Sequence, residues 1–175
     1  MSVEGQNLEF KESMLWSQDL SKEEISNSSG EVKSFGRDAS KIILAKVLAS
    51  FLNSSGGSIL IGVKELPDGT GGDLVGIGLD FGRLKDKNAD GYRRLLIESV
   101  VRKYLPPFIF QHFSRYVRLS FPLIKGTTLC WLSVKPSPEP VFLTVKGEER
   151  FFIRVDAACH QLAGSAILDY CKQQF

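Results

Sequence analysis

The segment that most constrains the fold runs from Asp38 to Val63, where a helix leads directly into a buried strand. Residues 38–54 carry apolar side chains at helical spacing, and Ser-Ser-Gly-Gly at 54–57 is typical of a helix C-terminus. Asp38 is placed to cap the helix N-terminus. The next residues, SILIGV at 58–63, predict a central strand buried on both faces. This unit predicts a helix layer packed on a β-sheet.

The rest of the pattern alternates short strands with two further helices. Helices are expected at 90–104 and 164–173, and strands at 8–13, 74–79, 108–123, 127–134, 141–145 and 150–155. Turn residues predict hairpins around 67–69, 125–126 and 146–147. Residues 17–36 are polar and predict a mobile loop that could include a helical turn near 21–25. The order predicts one α+β domain over 1–175, with a mixed β-sheet of hairpins and about three helices.

Charge and cysteine content exclude several classes of protein. The net charge of +2 over 175 residues means that a phosphate-binding patch must come from how the charges are distributed. Three scattered cysteines without a CxxC spacing argue against a disulfide framework and against a structural zinc site. The chain shows no secretory signal and no apolar run of membrane-spanning length. We therefore expect a cytoplasmic protein without membrane association.

The triplet Glu9-Phe10-Lys11 is the first candidate for chemistry. Side chains two residues apart on a strand share a face, so Glu9 and Lys11 should point together while Phe10 enters the core. A carboxylate beside a lysine recurs in metal-dependent nucleases, where the carboxylate binds a divalent ion and the lysine positions or polarises the attacking water. An ordinary half-exposed strand with an ion pair is the commoner explanation of so short a motif.

Two further carboxylates, Glu4 and Glu65, could join Glu9 at a metal site. Glu4 and Glu9 would face opposite sides of a straight strand, so their convergence requires a bend, which Gly5 permits. Glu65 follows the predicted central strand. Three converging carboxylates would hold one or two Mg²⁺ or Mn²⁺ ions, whereas acidic residues at strand ends are more often simply solvated.

Basic residues interleaved with aromatic ones form the next group. Arg93 and Arg94 lie on the second predicted helix, and Lys146 and Arg154 lie near the C-terminal hairpin, each close in sequence to phenylalanines or tyrosines. Such a mixture suits a surface that neutralises phosphates and stacks bases. The alternative is that the aromatic residues are core and the charges solvated, because strand alternation buries one set in any sheet. The glycines at 56–57 are not a P-loop, since they lead from a helix into a strand and no GxxxxGK is present.

Four segments, taken in order, resemble the Schlafen AlbA_2 domain family: EGQNLEFKES, ASFLNSSGGSILIGV, LVGIGL and RFFIRV. The resemblance implies a nucleic-acid-binding α/β fold. Related domains of vertebrate Schlafen proteins form RNases, which cut structured RNA such as tRNA and use three acidic residues and a divalent metal. Glu4 and Glu9 match the first two acids. The third falls at Lys64-Glu65, where the family often has Asp, and residues 156–160 also depart from the Gly- and Ser-rich turn that commonly follows the last motif.

The resemblance also implies how the chain would act. The vertebrate nuclease builds its groove from two such domains, so a homodimer is predicted for this single one. One hypothesis is a nucleic-acid-binding domain with metal-dependent endoribonuclease activity, in which Glu4, Glu9 and Glu65 hold the metal and Lys11 contacts phosphate or water. Other family members are domains of transcriptional regulators, for which DNA binding alone suffices. A nucleotide-binding or protein-interaction module is the third alternative.

Overall fold

A computed structural model describes residues 5–28 and 30–175, in which helices pack on small β-sheets. The strands are β1 (Leu8–Lys11), β2 (Gly57–Ile61), β3 (Val63–Glu65), β4 (Gly72–Leu74), β5 (Val117–Ser120), β6 (Leu123–Ile124), β7 (Thr127–Thr128), β8 (Cys130–Val134), β9 (Phe142–Val145), β10 (Glu148–Val155) and β11 (Ala158–Leu162). The helices are α1 (Lys22–Asn27), α2 (Gly30–Phe35), α3 (Ala39–Leu52), α4 (Gly78–Gly82), α5 (Ala89–Leu96), α6 (Arg102–Tyr104), α7 (Pro107–Gln111), α8 (Phe113–Tyr116) and α9 (Ser165–Gln174). A π-helical segment, Ile97–Val101, joins α5 to α6.

The central sheet has the order β1-β2-β8-β5, with β1 parallel to β2 and the other pairs antiparallel. Alternation along β8 buries Cys130, Leu132 and Val134 on one face and leaves Trp131 and Ser133 exposed on the other. The expectation that β2 is buried on both faces is therefore wrong. Its Ile59 and Ile61 are buried, but Ser58 and Leu60 lie on the open face and are only partly covered.

Helix α3 covers the buried face and links the central sheet to a second sheet of order β11-β10-β9. The prediction that Asp38 caps this helix is wrong, although Asp38 occupies the N-cap position. Its backbone is already helical because a 3₁₀ turn, Gly36–Asp38, precedes α3, so its side chain makes no capping bond. The carboxylate pairs instead with Lys103 at 3.0 Å and Lys41 at 3.9 Å.

Three predicted segments differ from the structure. Residues 17–36, expected as a loop, contain α1 and α2, and a capping box between Ser21 and Glu24 starts α1. Pairing after the 67–69 turn ends at Leu74, and the chain then enters α4 rather than continuing as a strand to 79. Residues 108–116 form α7 and α8, because a proline at the first turn starts a helix readily. Strand β11 was not predicted.

The overall α+β class, its mixed sheet and the three longest helical regions are as predicted. The β9–β10 hairpin turns at Lys146 and Gly147, which both have positive φ, as a two-residue type I′ turn requires. Lys125 and Gly126 have the same conformation between β6 and β7. No helix in the described ranges is long and apolar enough to cross a membrane.

Candidate nucleic-acid interface

Glu9 is buried on the face of β1 that is turned toward α3, with 7% of its surface exposed. Lys11 lies on the same face, as predicted, and its Nζ contacts the Glu9 carboxylate and the Phe10 carbonyl oxygen. Nη1 of Arg154 lies 2.6 Å from the Glu9 Oε2. Two cationic side chains therefore compensate the charge of this one carboxylate.

Arg154 is a structural anchor in this fold rather than an exposed cation, because only 1% of its side chain is accessible. Its Nη2 donates to the carbonyl oxygens of Gly5 at 2.9 Å and Leu8 at 3.2 Å, and its guanidinium lies 5.0 Å from the centre of the Phe51 ring. These contacts tie the start of β1 to the second sheet. A phosphate could reach this guanidinium only after the Glu9 pair opened.

The described residues do not fit a divalent cation. Glu9 already faces two cations, and electrostatic repulsion from them opposes a metal ion at the same oxygens. Strand β3 packs through Val63 on the Phe10 side of β1, the opposite face from Glu9, so the structure does not bring the exposed Glu65 to the Glu9 carboxylate. No group of three potential ligands occurs within 5–28 and 30–175. Glu4 lies outside the described residues, so the Mg²⁺ or Mn²⁺ site stays a prediction.

Each of the four basic residues predicted to contact phosphates has a partner within the protein. Arg93 donates to the Leu119 carbonyl oxygen at 3.1 Å, on edge strand β5, whereas Arg154 lies against the opposite edge strand, β1. Three strand spacings, about 14 Å, separate those edges. Arg94 pairs with an exposed aspartate, and Lys146 donates to a carbonyl oxygen of α2. Each therefore has a separate local partner.

The open face of the central sheet is the feature that sequence reasoning missed. Cross-strand partners on this face form two rows, Leu8-Ser58-Ser133-Arg118 and Phe10-Leu60-Trp131-Ser120. Trp131 has 43% of its surface exposed at the centre of the second row. No acidic side chain occurs in either row. The alternation of CWLSVK at 130–135 could have predicted this face, because it places Trp131, Ser133 and Lys135 on the same side of the strand.

Three exposed cations surround this open face. Arg118 stands on β5, Lys135 follows the end of β8, and Lys125 lies in the turn between β6 and β7. Their side chains make no ion pair or hydrogen bond with any residue that the structure describes, unlike most arginines of the chain. An exposed aromatic ring among uncompensated cations is a combination that can stack a base and neutralise phosphates.

Beside Trp131 the open face deepens into a mainly apolar groove with a volume of about 350 Å³. Its floor is the sheet itself, and the β3–β4 and β6–β7 hairpins form its walls through Leu74 and Ile124. Asn7, Ser58 and Lys125 contribute its polar groups. The aromatic ring, the cations and the groove therefore lie on one continuous surface, which we call the open sheet face.

Comparison with known proteins identifies a family to which the chain is similar. The family model described as "Schlafen, AlbA_2" matches residues 4–163, which is most of the chain. No curated protein matches the chain.

Several solved structures resemble the fold, including the following two. The DIP2311 protein from Corynebacterium diphtheriae has 15% sequence identity and a TM-score of 0.56 over 97% of this chain, and this chain spans only 24% of that protein. The second is the N-terminal domain of a Nitrosomonas europaea protein described as related to the ATP-dependent DNA helicase RecG. It has 16% identity and a TM-score of 0.44, covering 81% of this chain and 90% of that domain. The first likeness supports the fold alone, and the second is too distant to support a conclusion.

Proposed function

The chain belongs to the Schlafen AlbA_2 family, and on that premise we propose that it binds single-stranded nucleic acid on the open sheet face. Family membership supports a nucleic-acid-related role. The observation that carries the proposal is the exposure of Trp131 at the centre of a sheet face bordered by Arg118, Lys125 and Lys135. Stacking of one base on an aromatic side chain contributes about 1–3 kcal/mol, and each neutralised phosphate adds a salt-dependent contribution.

A single strand suits this surface better than a duplex. Bases within a duplex are already stacked on one another, whereas an unpaired base can leave its neighbours and lie on an exposed ring. The Trp131 ring stands on a sheet surface that leaves it accessible from solvent. RNA and DNA share the chemistry that this surface would recognise, so both are included in the test.

Metal-dependent cutting of structured RNA is a separate and finer prediction, which the described geometry does not favour. Lys11 and Arg154 hold the Glu9 carboxylate, and Lys64 stands beside Glu65. We therefore expect labelled tRNA and labelled single-stranded DNA to remain intact with Mn²⁺ as they do with EDTA. Metal-dependent cleavage that Glu9→Gln abolishes, with folding retained, would overturn this expectation and restore the nuclease hypothesis.

The binding proposal is tested by fluorescence anisotropy with labelled single strands of RNA and DNA. Trp131→Ala should weaken binding by roughly tenfold or more, because it removes the stacking ring. Trp16→Ala is the matched control, since Trp16 is 37% exposed and lines a different cavity with Glu12 and Arg83. If both substitutions weaken binding equally, or if neither weakens it, the proposed surface is refuted.

Salt dependence provides an independent test. Three phosphate contacts on a single strand predict that log K falls with log[salt] at a slope of about −2. Arg118→Ala and Lys135→Ala should each make this slope less negative by about 0.7, because each removes one phosphate contact. An affinity that does not change with salt contradicts the proposal, and the absence of binding even at low salt favours a protein-interaction module. The predicted homodimer is tested separately by light scattering of the protein with and without a bound strand.

A further inference from the structure

The apolar groove beside Trp131 has a size and a lining that the stacking of one base does not use. Leu8 and Leu60 contribute to its floor, and Leu74 and Ile124 stand at its sides. Its volume of about 350 Å³ lies at the low end for small-molecule sites, which is room enough for one flat ring. Apolar side chains on several sides favour removal of such a ring from water.

Two polar side chains at the groove have hydrogen-bonding capacity to spare. Neither the Asn7 amide nor the Ser58 hydroxyl bonds to a residue in the described part of the chain, although both line the groove. The Asn7 backbone is fixed, because its carbonyl oxygen accepts from the Ser58 N–H at 2.8 Å. A side-chain amide offers two donor hydrogens and one acceptor oxygen in a plane, the arrangement that pairs with the edge of a base.

Charge decides which kind of occupant fits. Lys125 lines the groove, and the two other uncompensated cations stand on the same open sheet face. An apolar peptide segment would fill the groove and leave these cations without partners. A nucleotide brings both a flat ring and an adjacent phosphate, so it satisfies the groove and the cations together.

We propose that the groove takes up one unpaired nucleobase next to the base stacked on Trp131, and that Asn7 reads the edge of that base. This inference rests on the proposed function and adds base selectivity to it. Adenine fits best, because its amino group donates and its N7 accepts in the geometry that an asparagine amide matches in bidentate fashion. The surface would then accept any base for stacking on Trp131 and would prefer adenine at the neighbouring position in the groove.

The test compares single strands of equal length that differ at one position. A strand of mixed sequence carries adenine, another base or an abasic site at each position in turn, and anisotropy gives its affinity for the whole protein. One position should prefer adenine over the abasic site by roughly tenfold. Asn7→Ala should remove that preference and leave the affinity for the abasic strand unchanged. Gln111→Ala, which removes an exposed amide on α7, is the matched control.

A second variant changes the apolar wall of the groove and leaves the Asn7 amide in place. Leu74→Phe enlarges a partly buried wall residue and should weaken binding of the base-containing strand while sparing the abasic one. Thermal melting verifies that both variants are folded. If strands bind and Trp131→Ala weakens that binding, but neither base identity nor these two variants changes the affinity, the base pocket is refuted and the proposed function survives. If no strand binds the wild-type protein, both proposals fail.

Discussion

Replacing Arg154 with methionine distinguishes a structural anchor from a phosphate contact. The substitution keeps an apolar stem of similar length and removes the guanidinium. Among the described residues, Lys11 then remains as the cationic partner of the buried Glu9. It also removes the donor to two carbonyl oxygens at the start of β1. If Arg154 is an anchor, the loss should therefore appear in the free energy of unfolding.

The magnitude follows from the burial of the pair. Removing one partner of a buried ion pair costs about 3–5 kcal/mol, because the other charge is left without compensation. Lys11 remains in contact with Glu9, so we expect the lower end, about 3 kcal/mol. For a chain of 175 residues each kcal/mol lowers Tm by about 2–4 °C, which predicts a fall of roughly 6–12 °C.

Chemical denaturation followed by circular dichroism measures the change. Arg150→Met is the matched control on the same strand, since Arg150 is 32% exposed and pairs with Glu148 at the surface. We expect it to change stability by no more than about 0.5 kcal/mol. If Arg154→Met keeps wild-type stability and instead weakens nucleic-acid binding, Arg154 is the phosphate contact expected from the sequence and the anchor role is refuted.

Three further predictions concern the core. Asn53→Ala should cost about 3 kcal/mol in urea denaturation, because the buried amide makes three hydrogen bonds to Val141 and Phe152, and a loss below 1 kcal/mol would contradict this. Gly56→Ala should lower Tm clearly, since Gly56 has a φ of +74° and an added Cβ would lie 2.4 Å from the Val134 oxygen; an unchanged Tm would refute the strain. Burial raises the pKa of the Cys130 thiol well above its usual range, so iodoacetamide followed by mass spectrometry should label Cys130 only after unfolding, and rapid labelling of the native protein would contradict that.

The sequence predicts well those elements that have regular periodicity and strong turn residues. The α3–β2 unit and the β9–β10 hairpin are found at nearly the predicted positions, because their apolar spacing and the positions of their glycines are compatible with few other structures. Residues 108–116 were predicted incorrectly, since an aromatic-rich segment satisfies strand and helix patterns over so short a length.

The site was harder to predict than the fold, because its geometry depends on long-range contacts. Nothing local to Arg154 indicates that it packs on Phe51 and pairs with a carboxylate more than a hundred positions away. The open sheet face depends on which strands become neighbours, and the adjacency of Leu60 and Trp131 follows only from the β2–β8 register. Periodicity gives the face of a residue within its strand, but the partner across the sheet is set by tertiary structure.

The most direct test of the central claim uses Trp131 as its own reporter. In Trp16→Phe, Trp131 is the single tryptophan, and titration with an unlabelled single strand should quench its fluorescence with an affinity that falls as salt rises. The matched Trp131→Phe protein, which retains Trp16, should show no quenching. Quenching of Trp131 alone supports base stacking on the open sheet face. An unquenched Trp131 in a protein that binds the strand by anisotropy would place the strand elsewhere and contradict the account.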